Sequence, residues 1–262
     1  MIDELRTLAE AAGREILSYY RSGDWSVTNK ADDSPLTQAD LAANLILTTG
    51  LAKLSTDPVI SEESDLRTFG TSRRFWLVDP LDGTRDFVAK LDTFVVCIAL
   101  VEDSKPNLGM IHSPVTGETW WAKKNLGAFG PNGARIGNER KHTTDLLAAG
   151  SRSIPTERMT MFYEHFQVSD VVRFGSALKF CKLAQGDFDL YPRFGPTHEW
   201  DTAAGQIIAE EAGCKVIDLA TQAPMTYGKP GFLNRGFVAS RADLDIVGEL
   251  HRRGMTGPSK TS

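Results

Sequence analysis

Four large apolar residues, Phe75–Val78, run straight into Asp79-Pro80-Leu81-Asp82-Gly83, and Asp86 follows three positions on. The apolar run reads as a buried strand, and the Pro and Gly behind it as the turn that ends it. Carboxylates delivered by a buried strand are costly unless their charge is met. Two readings follow. Asp-Pro and Asp-Gly are strong turn formers, so the stretch is either an ordinary surface turn or the wall of a site where a cation belongs.

A chain of 262 residues can bury such a strand in one large domain or two modest ones. Its 41% hydrophobic and 24% charged residues are those of an ordinary globular protein. A net charge of -5, with no basic stripe and no aromatic platform, argues against a nucleic-acid polymer as partner. It leaves room for a small anionic ligand, because a bound metal or a local cation cluster reverses the field in one pocket. Cys97, Cys181 and Cys214 are odd in number, widely spaced and set among apolar neighbours, which predicts buried free thiols in a reducing compartment. No signal pattern opens the chain and no apolar run reaches membrane-spanning length. The expectation is a cytoplasmic protein, with attachment at the inner membrane face left open.

Periodicity supplies the frame. Leu5, Leu8, Ala9, Ala12, Ile16 and Leu17 share one helical face, which predicts an amphipathic helix over 3–21. A loop or short hairpin and a second helix over 36–54 follow. Strands are expected at 58–64 and 73–80, each ending in acids, and an antiparallel meander covers 93–130. After 138–145 the texture changes. Strand-like segments at 146–153, 170–174, 188–194, 214–219 and 236–240 alternate with helical ones near 156–167, at 176–185, at 200–213 and from about 241. The fold class expected is α/β: an α+β half over 1–138 and an α/β half over 139–262.

Other acids share the ambiguity of the first turn. Glu62 and Glu63 end the preceding strand. Asp201 opens a helix and reads equally well as an N-cap or first-turn residue. Thr37 and Asp40 have capping-box spacing, although that motif prefers Glu or Gln in the last place. Taken together, Glu62, D-P-L-D-G-T at 79–84 and W-D-T-A-A-G at 200–205 resemble the inositol monophosphatase superfamily of metal-dependent phosphatases. The resemblance implies a layered αβαβα sandwich and two or three Mg²⁺ ions. It implies that Glu62, Asp79, the Leu81 carbonyl and Asp82 hold metal, with Asp201 on the second ion and a weaker third. Thr84 would hydrogen-bond the attacking water, Asp40 would accept from Thr84, and the Gly83 and Thr84 amides would reach phosphate oxygens. Elementary electrostatics agrees: unit charges about 4 Å apart repel by roughly 4 kcal/mol at an effective dielectric of 20. Hard carboxylate oxygens suit Mg²⁺.

Residues 175–205 resemble the bacterial CysQ group of 3′(2′),5′-bisphosphate nucleotidases, down to S-x-L-K-F-C and L-Y-P-R-F-G-P-T. That resemblance implies hydrolysis of adenosine 3′,5′-bisphosphate, with Ser176, Lys179 and Arg193 toward the 5′-phosphate and Asp201 beside the substrate. It also implies sensitivity to Li⁺. A second phosphate calls for such cations. By residue chemistry alone, Lys179 reads first as a solvated helix residue and Arg193 as a surface strand residue. G-S-R-S at 150–153 would end a strand near the same cleft, within reach of the nucleotide. In the first half the group pattern rests on Lys30, Ser34, Pro35, Thr37 and Asp40 besides the acids. The alternative is a broader phosphatase for inositol, histidinol or sugar phosphates. A small-molecule partner is expected, and monomer or homodimer stays open.

Overall fold

The computed structural model describes residues 1–23, 25–29, 35–64, 70, 72–138, 145–152 and 156–252. Lys30, Ser34, Ser153 and the 139–144 segment that holds the expected join lie outside them. The Phe75–Val78 run is buried on both faces: Phe75 and Leu77 belong to one core cluster, Trp76 and Val78 to another. A strand apolar on both sides needs cover on both sides, and that requirement generates the layers.

On one side lie helices α1 (Ile2–Ser22) and α2 (Gln38–Leu54). They bury Leu5, Ala9, Ala12 and Ile16, and Ala43, Leu47 and Leu51, at helical spacing against Trp76, Val78, Val96 and Ile98. Helix α2 starts at Gln38 and not at 36, because β1 (Val27–Asn29) and β2 (Pro35–Thr37) pair as an antiparallel ribbon. The main sheet takes its strands in chain order. They are β3 (Val59–Ser61), β4 (Arg74–Asp82), β5 (Val95–Glu102), β6 (Lys105–His112), β7 (Thr119–Lys123), β8 (Gly127–Phe129) and β9 (Arg135–Ile136). β3 is parallel to β4, and every other neighbour is antiparallel. A short helix, α3 (Thr84–Val88), leads out of β4.

The second sheet comes from the rest of the chain: β10 (Leu146–Gly150), β11 (Val168–Arg173), β12 (Leu190–Arg193), β14 (Cys214–Asp218) and β16 (Phe237–Arg241). Its order is β11-β10-β12-β16-β14, parallel among the first three and antiparallel beyond. Thr197–His198 (β13) and Leu233–Asn234 (β15) form a separate pair. Helix α4 (Glu157–His165) supplies Phe162, and α7 (Ile246–Arg252) supplies Ile246 and Leu250, to the outer face over Leu146, Ala148, Leu190 and Val238.

Between the sheets lie α5 (Leu178–Ala184) and α6 (Ala203–Glu211). Every α6 residue from Ala203 to Ala209 is buried, the mark of a helix enclosed on all sides. Ile207 and Phe180 share a cluster with Leu77, Val95 and Ile111 of one sheet and Tyr191, Val216 and Phe237 of the other. The result is the αβαβα layering the resemblance implied. The last helix begins at Ile246, not near 241, because Arg241 ends β16 with Nη1 buried 2.9 Å from Asp189 Oδ1. All three cysteines are buried and free. Among the described residues no helix is long and apolar enough to cross a membrane.

Candidate active site

Because β3 and β4 are parallel, their ends emerge on the same edge. Glu62 stands one residue past the register pair Ser61–Val78, its N–H donating to the Val78 carbonyl at 3.0 Å. The β4–β5 ladder then pairs Asp79 with Cys97 and Asp82 with Val95, so three steps on β4 match two on β5. This bulge absorbs the extra residue at Pro80-Leu81, where a strand proline is tolerated and side chains are re-aimed. Asp79 Oδ1 accepts the Leu81 N–H at 3.0 Å. Gly83 follows at φ 99°, where a Cβ would lie 3.3 Å from Phe94 Cα, so glycine fits both the torsion and the space.

These residues form one wall of a cleft of about 540 Å³, lined by Glu62, Asp79, Leu81, Asp82, Gly83 and Thr84. The opposite wall presents Ser176, Arg193, His198 and Asp201 from the second half of the chain. Asp201 precedes α6 by two residues, with Thr202 at the N-cap, so it does not cap the helix. Its Oδ2 accepts the His198 N–H at 2.8 Å instead. Asp82 Oδ2 accepts the Ala177 N–H across the cleft. Acids from positions 62, 79, 82 and 201 therefore meet.

Asp40 bonds to both Thr37 and Thr84. Its Oδ2 accepts the Thr37 N–H at 2.8 Å and the Thr37 hydroxyl at 2.6 Å, which holds the start of α2. Its Oδ1 lies 3.1 Å from the Thr84 hydroxyl, which is also 3.0 Å from the Leu81 carbonyl. Burial pushes Asp40 up, the Thr37 and Thr84 donors pull it down, and Glu62 adds to the rise.

Burial followed by repulsion from Glu62, Asp82 and Asp201 raises Asp79 well above the carboxylate range. Asp201 rises for the same reasons, with Asp82 and Glu62 as its repelling neighbours. Asp82 is raised to about 6, mainly by burial, against the opposing Ala177 N–H and Lys179. Among the described residues, no three or more His, Cys, Asp or Glu side chains are already set as a metal-holding group. The acids nevertheless repel one another at electrostatic range. Mg²⁺ keeps several waters and takes few carboxylates directly, so an open, self-repelling set of hard oxygens fits that ion.

Lys179 differs from its neighbours. It is 4% exposed, and its Nζ donates to the Phe174 carbonyl at 3.0 Å and the Ser176 carbonyl at 2.7 Å. Burial lowers it to about 8, with Asp82 opposing. The ammonium thus lies beneath the Ser176 turn and not on the cleft wall. Arg193 is partly exposed, with Nη2 3.4 Å from the Pro196 carbonyl. Sequence reasoning missed the supports of Asp201. Asn234 Nδ2 donates to the His198 carbonyl and to Thr202 Oγ1, both at 3.0 Å. Fully buried Glu199 accepts the Gly228 and Lys229 N–H groups and pairs with Lys229 Nζ at 2.8 Å. His198, stacked on Trp200 at 4.6 Å, was also unassigned. Only E-W-D in the sequence hints at Glu199; nothing points to Asn234.

Two sheets, three helical layers and an acid-lined cleft between the halves define the scaffold of a metal-dependent phosphatase. The inositol monophosphatase family model matches residues 1–252, and the chain belongs to that family. It is 37% identical over 243 residues to the 3′(2′),5′-bisphosphate nucleotidase CysQ of Salmonella typhimurium, covering 90% of this chain and 98% of that one. The protein of the same description from Escherichia coli K12 is 38% identical over 247 residues, covering 92% and 99%. Among solved structures, CysQ from Bacteroides thetaiotaomicron superposes with a TM-score of 0.78 at 31% identity, covering 92% and 98%. The IMPase of Thermotoga maritima superposes at 0.79 with 26% identity, covering 98% and 99%. Enzymes of this family are metal-dependent phosphatases, typically with Mg²⁺.

Proposed function

We propose that this protein hydrolyses the 3′-phosphate of adenosine 3′,5′-bisphosphate to AMP and phosphate. The observation that carries the reading is the pairing, in one cleft, of the Glu62–Asp79–Asp82–Asp201 cluster with Arg193 on the opposite wall. A monoester needs only the first feature, whereas a substrate with a second dianion needs both. Identity of 37–38% to the CysQ nucleotidases supports the same reading.

Glu62, Asp79, Asp82, Asp201 and the Leu81 carbonyl would hold the metal, two ions with a weaker third. When bound, Mg²⁺ supplies positive charge that activates water and offsets the charge of the phosphate. Thr84 orients a water through its hydroxyl, with Asp40 Oδ1 behind it as the proton acceptor. Ser176 and Arg193 bind the second phosphate, and Lys179 supports them by holding the carbonyls of the Ser176 turn. A cytoplasmic location belongs to the same proposal; no observation supports attachment at the inner membrane face.

Phosphate release should be measured across adenosine 3′,5′-bisphosphate, its 2′,5′ isomer, its sulfated form, inositol 1-phosphate and histidinol phosphate. The highest kcat/KM is expected for the first. A flat profile would favour the broader monophosphatase suggested by the likeness to the Thermotoga maritima IMPase.

A further inference from the structure

Asp86 and Arg152 are cleft-lining charges for which the chemistry above has no task. They meet each other. Arg152 Nε lies 3.3 Å from both carboxylate oxygens of Asp86, and Nη2 donates to Thr93 Oγ1 at 3.0 Å. The Thr93 hydroxyl closes the ring by donating to Asp86 Oδ2. Asp86 is 7% exposed and sits in α3, Thr93 precedes β5, and Arg152 follows β10 in the other half. A second grip lies beside this ring. A Cβ at Gly175 would fall 2.0 Å from Asp86 Oδ2, so the bare backbone at 175 packs against the same carboxylate. Two residues on, the Ala177 N–H donates to Asp82. The wall that carries the acids thus holds the wall that carries Ser176 at three points.

We propose that Asp86, Thr93 and Arg152 form a clamp that fixes the spacing of the two cleft walls, with Arg152 as a positioning residue for substrates that span them. With its side chain 40% exposed, Arg152 makes a pair that water screens, so its worth as a stability device is small. Its geometry is the stronger argument. A guanidinium that reaches a carboxylate and a hydroxyl together has little freedom to move. Asp201 stands on the second wall, so any substrate that uses the full acid set feels the spacing, and one with a further phosphate toward Ser176 and Arg193 feels it more. That contrast rests on the bisphosphate reading; the clamp itself does not.

The test is a double-mutant cycle on the full-length protein with Mg²⁺. kcat and KM are measured for adenosine 3′,5′-bisphosphate and p-nitrophenyl phosphate in wild type, Asp86→Asn, Arg152→Gln, the double variant and Arg152→Lys. Each single change should lower kcat/KM for the bisphosphate by up to about 10²-fold, as misplacement by about an ångström can. The loss on p-nitrophenyl phosphate should be several-fold smaller. The double variant should be no worse than the poorer single, since the two residues act as a unit. Lysine at 152 should rescue in part, because one ammonium reaches Asp86 without the fork to Thr93. Thr93→Val keeps both charges and should move the ratio the same way if a charge variant folds poorly. Multiplying losses in the double variant, or single variants with wild-type kinetics on both substrates, would overturn the clamp; equal losses on both substrates would count against the bisphosphate contrast alone. A wild type indifferent to the second phosphate would sink the bisphosphate reading instead, and the cycle on any cleft substrate would still decide the clamp.

Discussion

The two walls of the cleft are built by different means. On the acid-bearing wall, Asp79, Leu81, Asp82, Gly83 and Thr84 are consecutive or nearly so, and one bulge between Asp79 and Asp82 aims them. On the opposite wall, Ser176 lies in a turn held by Lys179, Arg193 ends β12, and the Asp201 turn is tied to distant chain through Asn234 and Glu199. Local chain geometry aims most of the first wall, whereas the Asp201 part of the second depends on long-range side-chain bonds. The first should therefore tolerate almost no change, and the second should fail by degrees.

The largest effect is expected at Asp79→Asn. Phosphate release should fall by about 10³-fold or more, the scale of losing several kcal/mol of charge stabilisation. The same variant should melt higher than wild type in EDTA, because one of several mutually repelling buried carboxylates becomes neutral. A lower melting temperature would mean that the acids do not repel as described.

Next comes Gly83→Ala. A side chain at φ 99° costs about 1 kcal/mol or more of stability, and the shifted turn should lower kcat/KM by up to about 10²-fold. Steady-state kinetics beside thermal melting separates the two. Arg193→Ala should be milder and selective. A lost charge-assisted bond is worth about 1.5–3 kcal/mol, roughly 10- to 150-fold in KM for a bisphosphate, with p-nitrophenyl phosphate nearly unaffected. Equal losses on both substrates would erase the distinction between the walls.

The smallest effect on catalysis, one of stability alone, concerns pH and the sheet that carries the acids. His112, buried between α1 and β7 with Nδ1 2.9 Å from Thr119 Oγ1, is lowered to about 4, mainly by burial. The unfolded chain binds its proton near 6.5 and the folded one only near 4. This contribution to stability is complete above 6.5 and is lost as pH falls from 6.5 toward 4. Melting curves of wild type and His112→Gln should converge over that window, and parallel curves would count against it.

The same contrast decides what could be read from the chain. Asp79 and Asp82 were legible because an apolar run, Pro and Gly frame them within a few positions. The layering came from the family resemblance, since residues 75–78 and 95–101 are apolar almost throughout and only the structure shows them alternating between two cores. Asp40 was read as a cap or as a partner of Thr84, and one oxygen holds Thr37 while the other accepts from Thr84. Asp86 and Arg152, 66 positions apart, carry no periodicity that joins them. Lys179 read by its chemistry as a solvated helix residue, yet it is buried and nearby carbonyls in a turn with Ser176 at φ 58° take its ammonium. The start of α7 was misplaced because Arg241 is claimed by Asp189, a partner from another strand end.

Helix α6 is enclosed by both sheets, and the turn that bears Asp201 leads directly into it. Neither half can therefore be treated as a spare part: severed from its partner, each would expose the apolar surface that α6 now joins. A lineage could exchange loops on this scaffold freely, but a recombination event that swapped one half would have to bring a matching helix bed with it.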